Sequence, residues 1–261
     1  MKEEMKRFFG NPSFWIALFG MVLCFFIISI PEWIDVDLPN RPEWRSPALV
    51  KAVTPVWFGG YILLLPFCSA IACVPPQVDD LNSGFTQWQG IRSSVKRYVM
   101  NKVITCMLGG FLVCAVSFWI HAIVWNIIAL PIDPITYPEH EQYLNGLFGQ
   151  WYALAYGLPM YLWIGCGAGL CGSMTALLGL AAAAWIPDRL IAITFPVAIY
   201  FFWSYDITYI LFGISLPRPS GLYNSYVTWS KTAQCILMNG AISVLALAVY
   251  SIGIKRRLCY E

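Results

Sequence analysis

A chain of 261 residues in which 59% of side chains are hydrophobic and 11% charged lies far from the soluble norm of roughly 45–50% apolar and about 25% charged. That excludes a large soluble domain and points to an integral membrane protein. The net charge is only +2, and the basic residues are few and dispersed, which excludes nucleic acid as a partner.

Residues 1–12 read as an amphipathic helix lying at the membrane interface. Met1, Met5, Phe8 and Phe9 form its apolar face, Lys2, Glu3, Lys6 and Arg7 its polar one. Gly10, Asn11 and Pro12 break it. The first apolar run, 14–30, lacks a small-residue cleavage site and is read as a retained span. Residues 31–55 carry five prolines and four carboxylates (Glu32, Asp35, Asp37 and Glu43) and read as a loop outside. A second span covers 56–74 and ends at Pro75 and Pro76. A third covers 103–129, long enough to tilt or project beyond a hydrocarbon core of about 30 Å.

Residues 130–150 form a second outside loop. The uncharged stretch 151–186 is read as one span, broken or extended near its glycines, and 190–206 as the next, carrying Pro196. Residues 207–231 suit a re-entrant or interfacial segment outside, and 232–254 the last span. Lys255, Arg256 and Arg257 after it, like Lys2, Lys6 and Arg7 before the first, belong on the cytoplasmic side. The span count is therefore even. The expected fold is all-α, with six transmembrane helices forming a single domain over 1–261 and both termini cytoplasmic.

The polar stretch 79–102 organises this layout. As a helix from near Asn82 or Ser83, it puts Phe85, Trp88, Ile91, Val95 and Tyr98 or Val99 on one stripe and Gln89, Arg92 and Lys96 on another. Asp79, Asp80, Asn82 and Ser83 supply cap oxygens and acidic groups for its start.

Other motifs receive plainer readings. Gly165, Gly169 and Ser173 suit close packing of membrane helices. A nucleotide-binding glycine loop would need a preceding strand, and no G-x-x-x-x-G-K-[ST] phosphate loop is present. His121 has no Asp or Glu within a span to relay protons and reads as a neutral structural histidine. Ser117, four residues away on the same helix, lacks the further groups of a catalytic site. Pro66, Pro159 and Pro196 read as kinks. The nine cysteines lie in apolar runs or near the C-terminal end. They make no C-x-x-C or Cys/His cluster, so neither a disulfide framework nor a metal site is expected.

The interfacial first helix, six spans, an amphipathic inner segment between spans two and three and a broken outer segment before span six together resemble the permease subunit of a type-two ABC exporter. That family's inner segment runs from an acidic residue through Ser-Gly-Thr and a leucine-rich helix to basic residues and a lysine entering span three. Asp80, Ser83, Gly84, Arg92, Lys96, Arg97 and Lys102 fit; Phe85 stands in place of the threonine, and Trp88 and Gln89 make the helix less leucine-rich.

The resemblance implies a coupling helix that docks on two cytoplasmic ABC ATPase subunits through Asp79, Asp80, Ser83, Gly84, Phe85, Trp88, Arg92, Lys96 and Arg97. It also implies a second permease subunit, identical or related, in a bacterial plasma membrane. ATP and Mg would be held by the ATPase, with no cofactor in this chain and no catalytic residue. The implied cargo is an amphiphilic molecule: a bacteriocin-like peptide, as in bacteriocin immunity, a lipid or a drug. An ion-coupled secondary transporter is the alternative, which would show coupling-ion groups near the membrane centre or matching broken helices; an intramembrane enzyme ranks below it.

Overall fold

A computed structural model describes residues 2–30, 60–86, 88, 94–128, 158–204, 217–218, 222 and 229–260. Those residues form seven helices and no strands: α1 (Lys2–Phe9), α2 (Pro12–Ile28), α3 (Gly60–Asn82), α4 (Val95–Ile128), α5 (Leu158–Trp185), α6 (Arg189–Ser204) and α7 (Trp229–Tyr260). The outside loops expected over 31–55 and 130–150 and nearly all of the 207–231 segment lie outside the described residues. Among those described, α4, α5 and α7 are each long and apolar enough to cross a membrane, and the α1–α2 pair, bent by 51°, makes a fourth candidate. At 16 residues, α6 reaches only about 24 Å, and α3 carries two aspartates and three prolines. The expectation of six spans therefore exceeds what length and composition alone mark out.

The break between α1 and α2 is made locally. Asn11 accepts a hydrogen bond on its Oδ1 from the Ser13 backbone N–H at 2.8 Å, and Pro12 occupies the first helical turn, where an N–H has no intrahelical partner. α2 then buries Phe14, Ala17, Met21 and Phe25 on one stripe and leaves Ile16, Phe19, Leu23 and Ile27 on the other.

α3 runs through Pro75 and Pro76 instead of ending there. The two missing N–H groups weaken the ladder. Burial of Val74, Gln77, Val78 and Asp80 around them offsets that loss. The helix instead stops at Asn82 and turns at Ser83 and Gly84, where Gly84 has φ 71°, a left-handed conformation that favours glycine.

Helical backbone resumes at Phe85, directly after that turn, with the Trp88 N–H donating to Gly84 O at 3.4 Å, close to the start expected near Asn82 or Ser83; α4 is a separate helix that follows. Ser94 caps α4, its Oγ accepting from the Arg97 N–H at 3.4 Å. Asp79 and Asp80 therefore lie at the closing end of α3 rather than at the start of a new helix.

α5 is the central element, packed against α3, α4, α6 and α7. It is continuous through its glycines. Pro159 lies in its first turn, where it does not kink the helix; Pro66 and Pro196 are inside α3 and α6.

The seam with α4 is closest at Gly110 and Gly172. A Cβ on Gly172 would lie 2.5 Å from the Gly110 carbonyl oxygen and 2.6 Å from Cys114 Sγ. Gly165 faces the Trp119 indole and Gly169 the Phe111 ring, while Ser173 Oγ donates to Met107 O at 2.9 Å. Small side chains let these backbones approach where apolar area alone drives no association in lipid. Toward α3, the hydroxyls of Ser69 and Thr175 bond at 2.6 Å.

Candidate functional site

One end of the bundle gathers most of the described charge. α3, α5 and α7 enter this end, and α4 and α6 leave it with α1 and the start of α2 beside them. Contacts between the helix ends hold the arrangement. The Arg189 guanidinium at the start of α6 grips Asp79 Oδ1, with Nε at 3.1 Å and Nη2 as a second donor. Asn82 Nδ2 donates to Pro187 O at 3.3 Å. In the last turn of α7, Arg257 donates through Nε to Ala184 O at 2.8 Å and through Nη2 to Trp185 O at 3.3 Å. It thereby satisfies carbonyls that the end of α5 leaves open.

At the centre lies Asp80, only 1% exposed. Arg7 of α1 forks onto it: Nη1 is 3.2 Å from Oδ2, and Nη2 bonds to Oδ1. Lys102 of α4 donates to Oδ2 at 2.6 Å and also reaches Glu4 Oε2 at 3.3 Å. Two cations and two carboxylates balance, so a desolvated carboxylate that would be costly alone sits in a neutral, hydrogen-bonded cluster. The Asp80 carbonyl is occupied as well, accepting from Thr86 Oγ1 at 3.2 Å. Thr86 Oγ1 is in turn 3.3 Å from the Tyr98 hydroxyl, and Gln77 Nε2 donates to that hydroxyl at 3.5 Å. A chamber of about 30 Å³ lined by Glu4, Arg7, Gln77, Lys102 and Thr105 opens beside the cluster; it is of the size of a single water.

Around this buried cluster the residues just after α3 and the first turn of α4 present a different surface. Trp88 is 67% exposed, and Ser83, Lys96 and Arg97 are exposed too. Phe85 is half-buried beneath the Arg7 guanidinium, which lies 4.5 Å from its ring centroid. Of the nine residues assigned to docking, then, Asp80 turns inward, Asp79 is engaged by Arg189, and Ser83, Trp88, Lys96 and Arg97 face out. Arg92 lies outside the described residues. Pattern reading tied Lys102 to the family motif but missed Glu4 and Arg7 as its neighbours, because they are 98 and 95 positions away in the chain. The signal within reach was a carboxylate at the end of an apolar helix, which requires a cation from some other element.

The other singled-out polar residues stay within the packing. Ser117 Oγ donates back to Val113 O at 2.6 Å and makes no pair with His121. His121 Nε2 accepts from Trp125 Nε1 at 3.1 Å, which puts the ring proton on Nδ1, and the ring stacks on Phe25 at 5.1 Å. Among the described residues the cysteines with described side chains are free thiols, and no group of three metal-binding side chains occurs. No protein-family model, curated protein or solved structure significantly matches this chain. What the site can do rests on its own chemistry: a buried neutral cluster holds several helix ends together and supports an exposed aromatic and cationic patch.

Proposed function

We propose that the chain is the membrane-spanning subunit of an ATP-driven exporter of the type-two ABC kind. In this reading the helices form six spans, with both termini and the charged end on the cytoplasmic side of a bacterial plasma membrane. The chain pairs with a second permease, identical or related. Two ATPase subunits bind the turn between α3 and α4 and supply hydrolysis, with ATP and Mg in their own sites. The cargo is an amphiphile, such as a bacteriocin-like peptide, a lipid or a drug, and immunity to such a peptide is one use of its export.

The observation that carries the reading is the exposure of Trp88, between α3 and α4, and of Lys96 and Arg97 in the first turn of α4, beside the Asp80 cluster that ties the end of α3 to α4. An exposed tryptophan fills a partner's apolar pocket and paired cations meet its carboxylates. Rigid attachment to α3 and α4 lets a shift at that contact reach the bundle.

The test is purification of the full chain from its own membranes in mild detergent, alongside Lys96→Glu/Arg97→Glu. A phosphate-loop ATPase is expected in near-equal amount with the natural chain and to fall by about tenfold or more with the double variant, the worth of one or two desolvated charged contacts. Full retention of the ATPase by the variant removes the docking surface. Ion-driven uptake by the purified chain alone removes the exporter reading.

A further inference from the structure

We infer that Asp80 is a positioning residue, the keystone that sets the conformation of the α3–α4 turn and ties α1 to it. The inference rests on the docking reading for its use, but the geometry stands on its own. Two different groups of Asp80 reach the same turn by separate routes. Its backbone carbonyl accepts from Thr86 Oγ1. Its carboxylate holds Arg7 in a two-point fork, and the held guanidinium lies over the ring of Phe85. The circuit closes around the turn: Asp80 to Arg7 to Phe85, and back through Thr86.

A fork fixes a guanidinium plane as a single-point contact with an ammonium does not. Arg7 therefore has a defined face to offer Phe85 only while the carboxylate is charged and in place. Lys102 supplies the second cation from α4 and joins Glu4 of α1 to the same point. The cluster thus places α1 and the turn in one body. Phe8 adds an attachment independent of charge: its ring occupies the notch left by Gly109, where a Cβ would overlap it. Loss of the carboxylate should loosen the turn and the polar side of α1 without freeing α1 altogether.

Amide hydrogen exchange on the full chain in detergent reads this without any partner. The protecting bonds are known: the Ser83 N–H donates to Asp79 O at 2.9 Å and the Gly84 N–H to Leu81 O at 3.3 Å. Asp80→Asn keeps the shape and removes the charge. It is expected to speed exchange in peptides covering 2–9 and 81–88 by about tenfold or more, since a hydrogen bond to a charged group is worth at least that, and to leave 165–180 in α5 unchanged. Asp80→Glu should restore most of the protection.

Because Asp80→Asn leaves Lys102 buried and can prevent folding, Arg7→Gln is the second variant. Arg7 is half-exposed, so its loss is tolerated, and the same paired loosening is expected. If α1 loosens in Arg7→Gln while 81–88 keeps its protection, or neither changes, the keystone assignment is overturned. Exchange rising equally through α5 overturns it too, because that marks general destabilisation. The docking reading fails separately: it falls if Lys96→Glu/Arg97→Glu leaves ATPase binding intact, whatever the exchange result.

Discussion

α5 and α7 are both long apolar helices, and the most apolar stretch of α7 is more hydropathic than that of α5, yet they occupy opposite environments. In its most apolar stretch α5 has 89% of its residues buried and α7 only 22%. The difference lies in side-chain size. Gly165, Gly167, Gly169, Gly172, Ser173 and Gly179, with six alanines from 168 to 184, leave α5 a thin helix that neighbours approach on all sides. α7 carries Leu237, Val244, Leu245 and Ile252 outward, where lipid receives them as well as protein would. In a bilayer, hydrophobicity places a helix in the membrane, but slenderness decides which helix stands in the middle.

The most severe way to break that contrast is Gly172→Leu. Backbone stands opposite on α4, and the Gly110 carbonyl has no rotamer through which to retreat. Loss of the monodisperse folded protein on size-exclusion chromatography in detergent is expected, since overpacking costs about 1–3 kcal/mol for well-accommodated insertions and more where none is possible. Next comes Ile164→Ala, at a fully buried α5 position. It should lower stability by about 2–5 kcal/mol, read by thermal or SDS unfolding. The smallest effect belongs to Leu245→Ala on the outer face of α7, expected within about 0.5 kcal/mol. A larger loss at Leu245 would sharpen the comparison in another way: that face would then be covered by protein rather than lipid.

Much of the helix set was readable without coordinates. Apolar runs announced every long helix, and Gly10, Asn11 and Pro12 announced the first break. The inner segment reads as one helix because one helical period runs unbroken from Phe85 to Val99, across Ser94, where a new helix starts. Periodicity reports which residues share a face only if the helix is continuous. Pro75 and Pro76 compounded the error, since local rules stop a helix there while burial carries it on to Asn82. The ion cluster was hidden for a different reason. Asp80 draws its cations from two other helices, and no spacing rule connects position 7 with position 80.

α4 has 34 residues and no proline, where α3 has three and α6 has one. About 51 Å of uninterrupted rod runs from Ser94, beside the charged end, to Ile128, beyond the level of His121. Such a rod has no joint at which to absorb a push. Swinging by about 5° around its midpoint carries each end roughly 2 Å in opposite senses, so a small displacement beside Lys102 arrives at the far side of the bundle undiminished and reversed.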